Sequence, residues 1–166
     1  MATFDVNTML VRGEQMYFYI VEKEGEGETL KYTPLAFATS CSVQIDGETI
    51  DTSNKFSGKW ASNLSGKNSY TISTDALYTQ AEGLYSFDFL MEKMISGGND
   101  SKLDWVIGMA KDYAKEDYEL NTDAPYYSGT AFITSLSLNA GSGEVANCSI
   151  SLTGSGKIEH FMPKAE

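Results

Sequence analysis

The chain has 166 residues, 42% of them hydrophobic and 21% charged, which is enough apolar side chain to bury the core of one ordinary globular domain. Its 23 acidic residues against 12 basic ones leave a formal net charge of -11, so the molecule repels phosphate backbones and is not expected to read DNA sequence. The opening stretch MATFDVNTMLVRG lacks the basic start and apolar core of a secretory signal, and no apolar run nears the roughly 20 residues of a bilayer span, so synthesis in the cytosol and no membrane partner are expected.

The dominant period along the chain is two. Residues 15–21 (QMYFYIV) are aromatic and β-branched and predict a first strand, followed by a polar hairpin tip at residues 22–28 (EKEGEGE). Residues 37–45 alternate, with Cys41, Val43 and Ile45 on one face, and residues 69–74 alternate again, with Tyr70 and Ile72 together. Between these two strands lies a polar stretch, residues 47–66, expected as a long loop; a structureless segment near 20 residues inside a compact domain tends to be functional. Phe87, Leu90, Met91, Met94 and Ile95 break the period, since their spacing is that of an amphipathic helix over about 86–97. Ser86 is its expected N-cap and Gly97-Gly98 its stop. Residues 103–110 predict another strand, with Leu103, Trp105, Ile107 and Met109 on one face. Residues 111–123, with Tyr113 and Tyr118 among mixed charges, predict a solvated loop or helical excursion; a contact surface is the alternative. Residues 130–154 predict a hairpin turning at Gly141-Ser142-Gly143, with Phe132, Leu136, Leu138 and Ala140 on one face. No linker or internal repeat divides the chain, so residues 1–166 are expected to form a single mainly β domain with one short flanking helix.

Little in the chain points to catalysis. Nucleophilic triads need an imidazole, and the only one is His160, six residues from the end of the sequence, where a frayed terminus would hold a general base poorly. The Gly-Lys dipeptides at 58, 66 and 156 lack the second glycine and the following Ser or Thr of a phosphate-binding loop. Asp46, Glu48, Asp51 and Asn54 crowd one segment as calcium ligands do, but in the wrong order for an EF-hand loop, and a structural calcium is only an alternative. Cys41 and Cys148 have no zinc spacing and read as small core residues, a disulfide being the alternative. No catalytic residue, metal or cofactor is therefore assigned.

Residues 34–75 carry a more specific signal. AFATS at 36–40 leads to ETIDTSNKFSGKW at 48–60 and then to SGKNSYTIST at 65–74, followed by the helix at 86–97 and the closing pair GTAFITSLSLNAGSGEVANCSISLTGSGKI at 129–158. This succession resembles the major tail tube proteins of long-tailed phages and phage-like particles. The resemblance departs from the family at residues 102–127, which are longer and more acidic, and at the enlarged first hairpin.

The resemblance implies a β-sandwich or barrel flanked by one helix, and a structural virion protein whose hexameric rings stack into a hollow tail tube that conducts DNA without binding it. The implied partners are further copies of the chain and other tail proteins, such as tape measure, distal tail and terminator proteins. The implied location is the virion tail, after synthesis in the host bacterial cytoplasm. Within that frame residues 47–66 are the expected interface, with Ile50, Asp51, Thr52, Ser53, Lys55, Phe56, Lys59, Trp60 and Lys67 as contact residues, because apolar anchors and lysines in an acidic molecule call for a neighbouring copy. The alternative for Trp60 is that it folds back over its own barrel. The alternative for the whole chain is a β-sandwich binding module, carbohydrate-binding or adhesin-like, with Tyr126, Tyr127 and Trp105 stacking on sugars.

Overall fold

A computed structural model describes residues 10–24, 29–80 and 85–163. The alternating segments pair into one antiparallel sheet built from β1 (Met16–Glu24), β2 (Thr29–Pro34), β3 (Ala38–Asp51), β4 (Asn63–Leu77), β5 (Lys102–Asp112), β7 (Tyr126–Asn139) and β8 (Asn147–Phe161), in the spatial order β2-β1-β5-β7-β8-β4-β3. A short strand, β6 (Asp117–Leu120), adds to the end of β5. The helix α1 (Phe87–Ser96) carries the chain from β4 across to β5. The fold is thus mainly β with one flanking helix.

The inward positions of the strands meet α1 in a single core. Phe18 and Ile20 of β1, Tyr70 and Ile72 of β4, Leu103, Trp105 and Ile107 of β5, Ala131 and Ile133 of β7, and Cys148, Ile150 and Leu152 of β8 pack with Phe87 and Leu90 of the helix. The sheet curls strongly. Tyr70 and Trp105 belong to strands with two others between them, yet their rings meet edge to face at 5.7 Å, and the Tyr70 hydroxyl donates to the Thr130 carbonyl. Two glycines permit this closeness: a Cβ on Gly154 would stand 2.3 Å from the Tyr70 ring, and one on Gly129 2.8 Å from its hydroxyl. The curl brings β1 toward β3, leaving a groove of about 770 Å³ lined by Met16, Phe18, Cys41, Val43 and Ile107, among others.

The outward face of β3, β4, β8 and β7 is rich in short hydroxyl side chains. The register sets Ser42, Ser73, Ser151 and Ser135 in one row across the four strands, and Ser40, Asp75, Ser149 and Ser137 in the next. Asp75 accepts hydrogen bonds from Ser149 (2.6 Å) and Ser40 (2.9 Å), which hold its carboxyl below the usual range.

Several expectations change. A register shift at Thr134 reverses the phase of β7, so Ile133 faces the core and Phe132 the opposite side from Leu136. The stripe on α1 outruns its cover: Phe87 and Leu90 are buried, but Ile95 is 78% exposed. Ser86 takes the extended N-cap conformation without a side-chain capping bond, and Gly97 ends the helix at φ 67°. Residues 111–123 are neither loop nor helix throughout, because β6 folds back on β5, where Leu120 is buried with Tyr19 and Val106 and the Tyr19 hydroxyl donates to the Tyr118 carbonyl at 2.9 Å. His160 sits inside β8 rather than on a frayed end, its ring stacked on Tyr127 at 4.5 Å. Cys41 and Cys148 are free thiols, Cys148 fully buried and Cys41 partly. The expected tip at residues 22–28 falls partly on 25–28, outside the described residues. No helix among the described residues is long and apolar enough to cross a membrane.

Candidate subunit interface

Residues 47–66 are not one continuous loop, since nearly half of them extend two strands. β3 continues to Asp51 and β4 begins at Asn63, so the two strands form a ribbon whose tip is residues 52–62. The polar composition concealed the strands because both faces of the ribbon meet solvent and no apolar alternation survives. Pairing of β4 with β8 ends at Thr71↔Thr153, and beyond it the ribbon's ladder pairs only β3 with β4, out to Asp51↔Asn63. Seven residues of β3, from Ile45 to Asp51, carry it about 23 Å past the four-stranded part. A bulge sets Glu48 against Gly66 and Lys67; a Cβ on Gly66 would stand 3.0 Å from Glu48, so glycine is what fits there.

The tip is held by its own short polar side chains. The Thr52 amide donates to the Ser62 carbonyl (2.7 Å), and the Thr52 hydroxyl reaches the same carbonyl (3.0 Å). The Ser62 amide donates to the Ser53 hydroxyl (3.0 Å), and the Ser53 amide to Asp51 Oδ1 (2.7 Å). Hydrogen bonds from Ser53 hold the Asp51 carboxyl below the usual range. Asn54 receives the Phe56 amide (2.9 Å), an Asx turn, and the Ser57 hydroxyl receives the Asn54 amide (2.9 Å). Gly58, at φ 64°, supplies the left-handed residue before Lys59 and Trp60.

This frame presents apolar groups to water. Phe56 is 98% exposed and Trp60 85%; Ile50 and its cross-strand neighbour Leu64 are also exposed. Trp60 does not fold back over its own sheet. Lys55, Lys59 and Lys67 make no ion pair among the described residues, Lys67 standing at the bulge and the other two at the tip. The ribbon is charge-balanced, with Asp46, Glu48 and Asp51 against those lysines, so the whole negative surplus lies elsewhere in the molecule.

Ile45, expected in the core, is 61% exposed at the root of the ribbon, beyond the last row in which β8 pairs with β4. It lines a second concavity of about 460 Å³ with Tyr70, Lys157 and Ile158. Alternation alone signals which face a residue takes, and nothing in it signals where the cover ends.

Other candidate chemistry is dispersed. Asp46 accepts from Gln44 and Asp51 from Ser53 along the ribbon, and no group of three or more metal-ligating side chains converges among the described residues. Of the aromatics suited to sugar stacking, Trp105 is 1% exposed, Tyr126 stacks on Phe161 and Tyr127 on His160.

Comparison with known proteins agrees with this architecture. The structure is similar to a subunit from the tail of an empty gene transfer agent particle refined with C6 symmetry, at 15% identity and a TM-score of 0.67 over 92% of this chain and 99% of that one. It is similar to the SPP1 tail tube protein, at 10% identity and TM-score 0.64 over 91% and 78% of the two chains. A chain of the anti-feeding prophage cap aligns at 17% identity and TM-score 0.61, over 98% and 95%. No curated protein matches the sequence. The family model for phage tail tube proteins matches residues 11–160, and with a curled sheet, one helix and a projecting ribbon in place the chain belongs to the phage tail tube protein family, as a structural component of the tail tube.

Proposed function

We propose that copies of the chain close into six-membered rings that stack into a hollow tube through which DNA leaves the particle, with the β3–β4 ribbon as the contact between copies. The observation that carries this is the ribbon itself. A two-stranded hairpin is marginal alone in water, and this one spends its apolar side chains on its outside, where only another molecule can cover them. Ile50, Asp51, Thr52, Ser53, Lys55, Phe56, Lys59, Trp60 and Lys67 form the contact, Phe56 and Trp60 as anchors and the Thr52–Ser53–Asp51 network as their rigid mount.

The hydroxyl face of the sheet supports the same function. Rows of serines with one carboxylate and no cation offer passing phosphates nothing to exchange counterions with, so DNA slides rather than binds. The protein works by assembly rather than catalysis, resides in the virion tail after synthesis in the host cytoplasm, and meets tape measure, distal tail and terminator proteins at the tube's core and ends. The test is deletion of residues 52–62, replaced by Asn-Gly: the subunit should stay folded and tube formation should cease. Tubes formed by the deletion variant would overturn the interface.

A further inference from the structure

The excursion after β5 matches the ribbon tip in charge and chemistry. Residues 112–123 hold Asp112, Glu116, Asp117, Glu119 and Asp123 against a single lysine, Lys115. Asp112 is spent on Lys115 (2.9 Å) and Glu119 on Lys111 (2.6 Å), whereas Glu116, Asp117 and Asp123 make no ion pair among the described residues. The surface is also aromatic: Tyr118 is 42% exposed, its ring 5.7 Å from that of Tyr17, and Tyr113 donates to Glu14 (3.2 Å). The patch has a firm base, because β6 is tied to β5 through Leu120, buried with Val106, and to β1 through the Tyr19 hydroxyl, which donates to the Tyr118 carbonyl.

The tip offers the complement. Residues 52–62 carry Lys55 and Lys59, no acidic residue, and two aromatic rings with almost no cover. Within one subunit the two patches stand on different strands, with β7, β8 and β4 between β5 and β3 in the sheet, and Phe56 (98% exposed) and Trp60 (85%) are left uncovered by the described residues. We infer that the tip of one copy docks on the β5–β6 excursion of a second copy, Lys55 and Lys59 meeting Glu116, Asp117 and Asp123 while Phe56 and Trp60 pack against the exposed tyrosine. The contact joins two different patches, so it is heterologous and repeats from copy to copy until a ring closes or a stack extends. Opposite charges around an aromatic centre give it register as well as affinity. The inference rests on the tube reading and adds the identity of the surface that receives the tip.

Charge exchange tests the pairing. Lys55→Glu with Lys59→Glu, and separately Glu116→Lys with Asp123→Lys, should each raise the concentration needed for assembly by about tenfold or more, with circular dichroism unchanged. Combining all four changes in one chain should restore most of the loss, because each altered tip then meets an altered excursion. Independently, carbodiimide treatment of wild-type tubes assembled from mixed light and nitrogen-15 subunits should join Lys55 or Lys59 to the 112–123 peptide between differently labelled chains. Failure of the quadruple variant to recover, together with cross-links from the tip to some other segment, would overturn the pairing and leave the tube intact as a conclusion. Failure of the wild-type protein to assemble at all would instead overturn the tube.

Discussion

Replacing Trp60 by alanine separates what the tip does for its own subunit from what it does for a neighbour. The indole is 85% exposed, so its loss removes almost no contact within the chain and should change the stability of the isolated subunit by no more than about 0.5 kcal/mol. Covering the same ring in an interface removes on the order of 200 Å² of apolar surface from water. At about 25 cal/mol per Å² this is a gross gain of about 5 kcal/mol, of which interface aromatics usually realise about 2–4 kcal/mol. The concentration at which assembly begins should therefore rise by about 30-fold to 1,000-fold. Pairing the change with Lys59→Glu adds a reversed charge at the same edge and should abolish tubes altogether. Thermal unfolding followed by circular dichroism reads the first quantity and sedimentation across a dilution series the second. A variant that unfolds more than a few degrees early would place Trp60 in its own subunit's core, and one that assembles at the wild-type concentration would remove it from the interface.

Other expectations follow from the same packing. Gly154→Ala puts a methyl 2.3 Å from the buried Tyr70 ring and should cost at least about 1–3 kcal/mol, read as a lowered denaturation midpoint. Burial pushes the Cys41 thiol up to about 11, so it stays protonated at pH 8. Its alkylation by iodoacetamide should be slow there and accelerate as pH approaches that value. Because the folded-state value is raised, the stability this thiol contributes is complete below its unfolded pKa and is lost as pH climbs from about 9 toward 11, a loss that Cys41→Ser should remove. Hydrogen bonds lower the folded-state pKa of Asp75, so its contribution is present above about pH 4 and lost as pH falls through the folded value. Asp75→Asn should flatten that acid limb of the stability profile. Assembled tubes should show no salt-sensitive binding of duplex DNA, measured by co-sedimentation at physiological salt.

What could be read in advance depended on whether one face of an element was buried. The second half of β4 and the first half of β8 alternate because one side packs on the core, β1 and β5 stand out as apolar runs because Tyr19 and Val106 are buried on the other side as well, and α1 shows its 3.6 period because one face meets the core. The outer halves of β3 and β4 have water on both sides, so their Ser, Thr and Asn residues read as loop although they form a ladder. Bulges are invisible to a fixed period, which is how Phe132 and Ile133 exchanged faces. β6 is four residues long and anchored by one leucine, too little to register. The curl of the sheet depends on Gly129 and Gly154 lying beneath Tyr70, and nothing in the linear order brings those three together. At the proposed interface, single apolar residues in a polar segment marked Phe56 and Trp60 as unusual. Their exposure, and the hydroxyl network that mounts them, required coordinates.

The central claim, that copies of this chain build a tube, is tested most directly by electron microscopy of the purified protein over a range of concentrations, alone and together with its tail partners. Six-fold rings or stacked tubes with an open axial channel are the expected result. Particles that remain monomeric at the highest concentration, with the partners present, would contradict it.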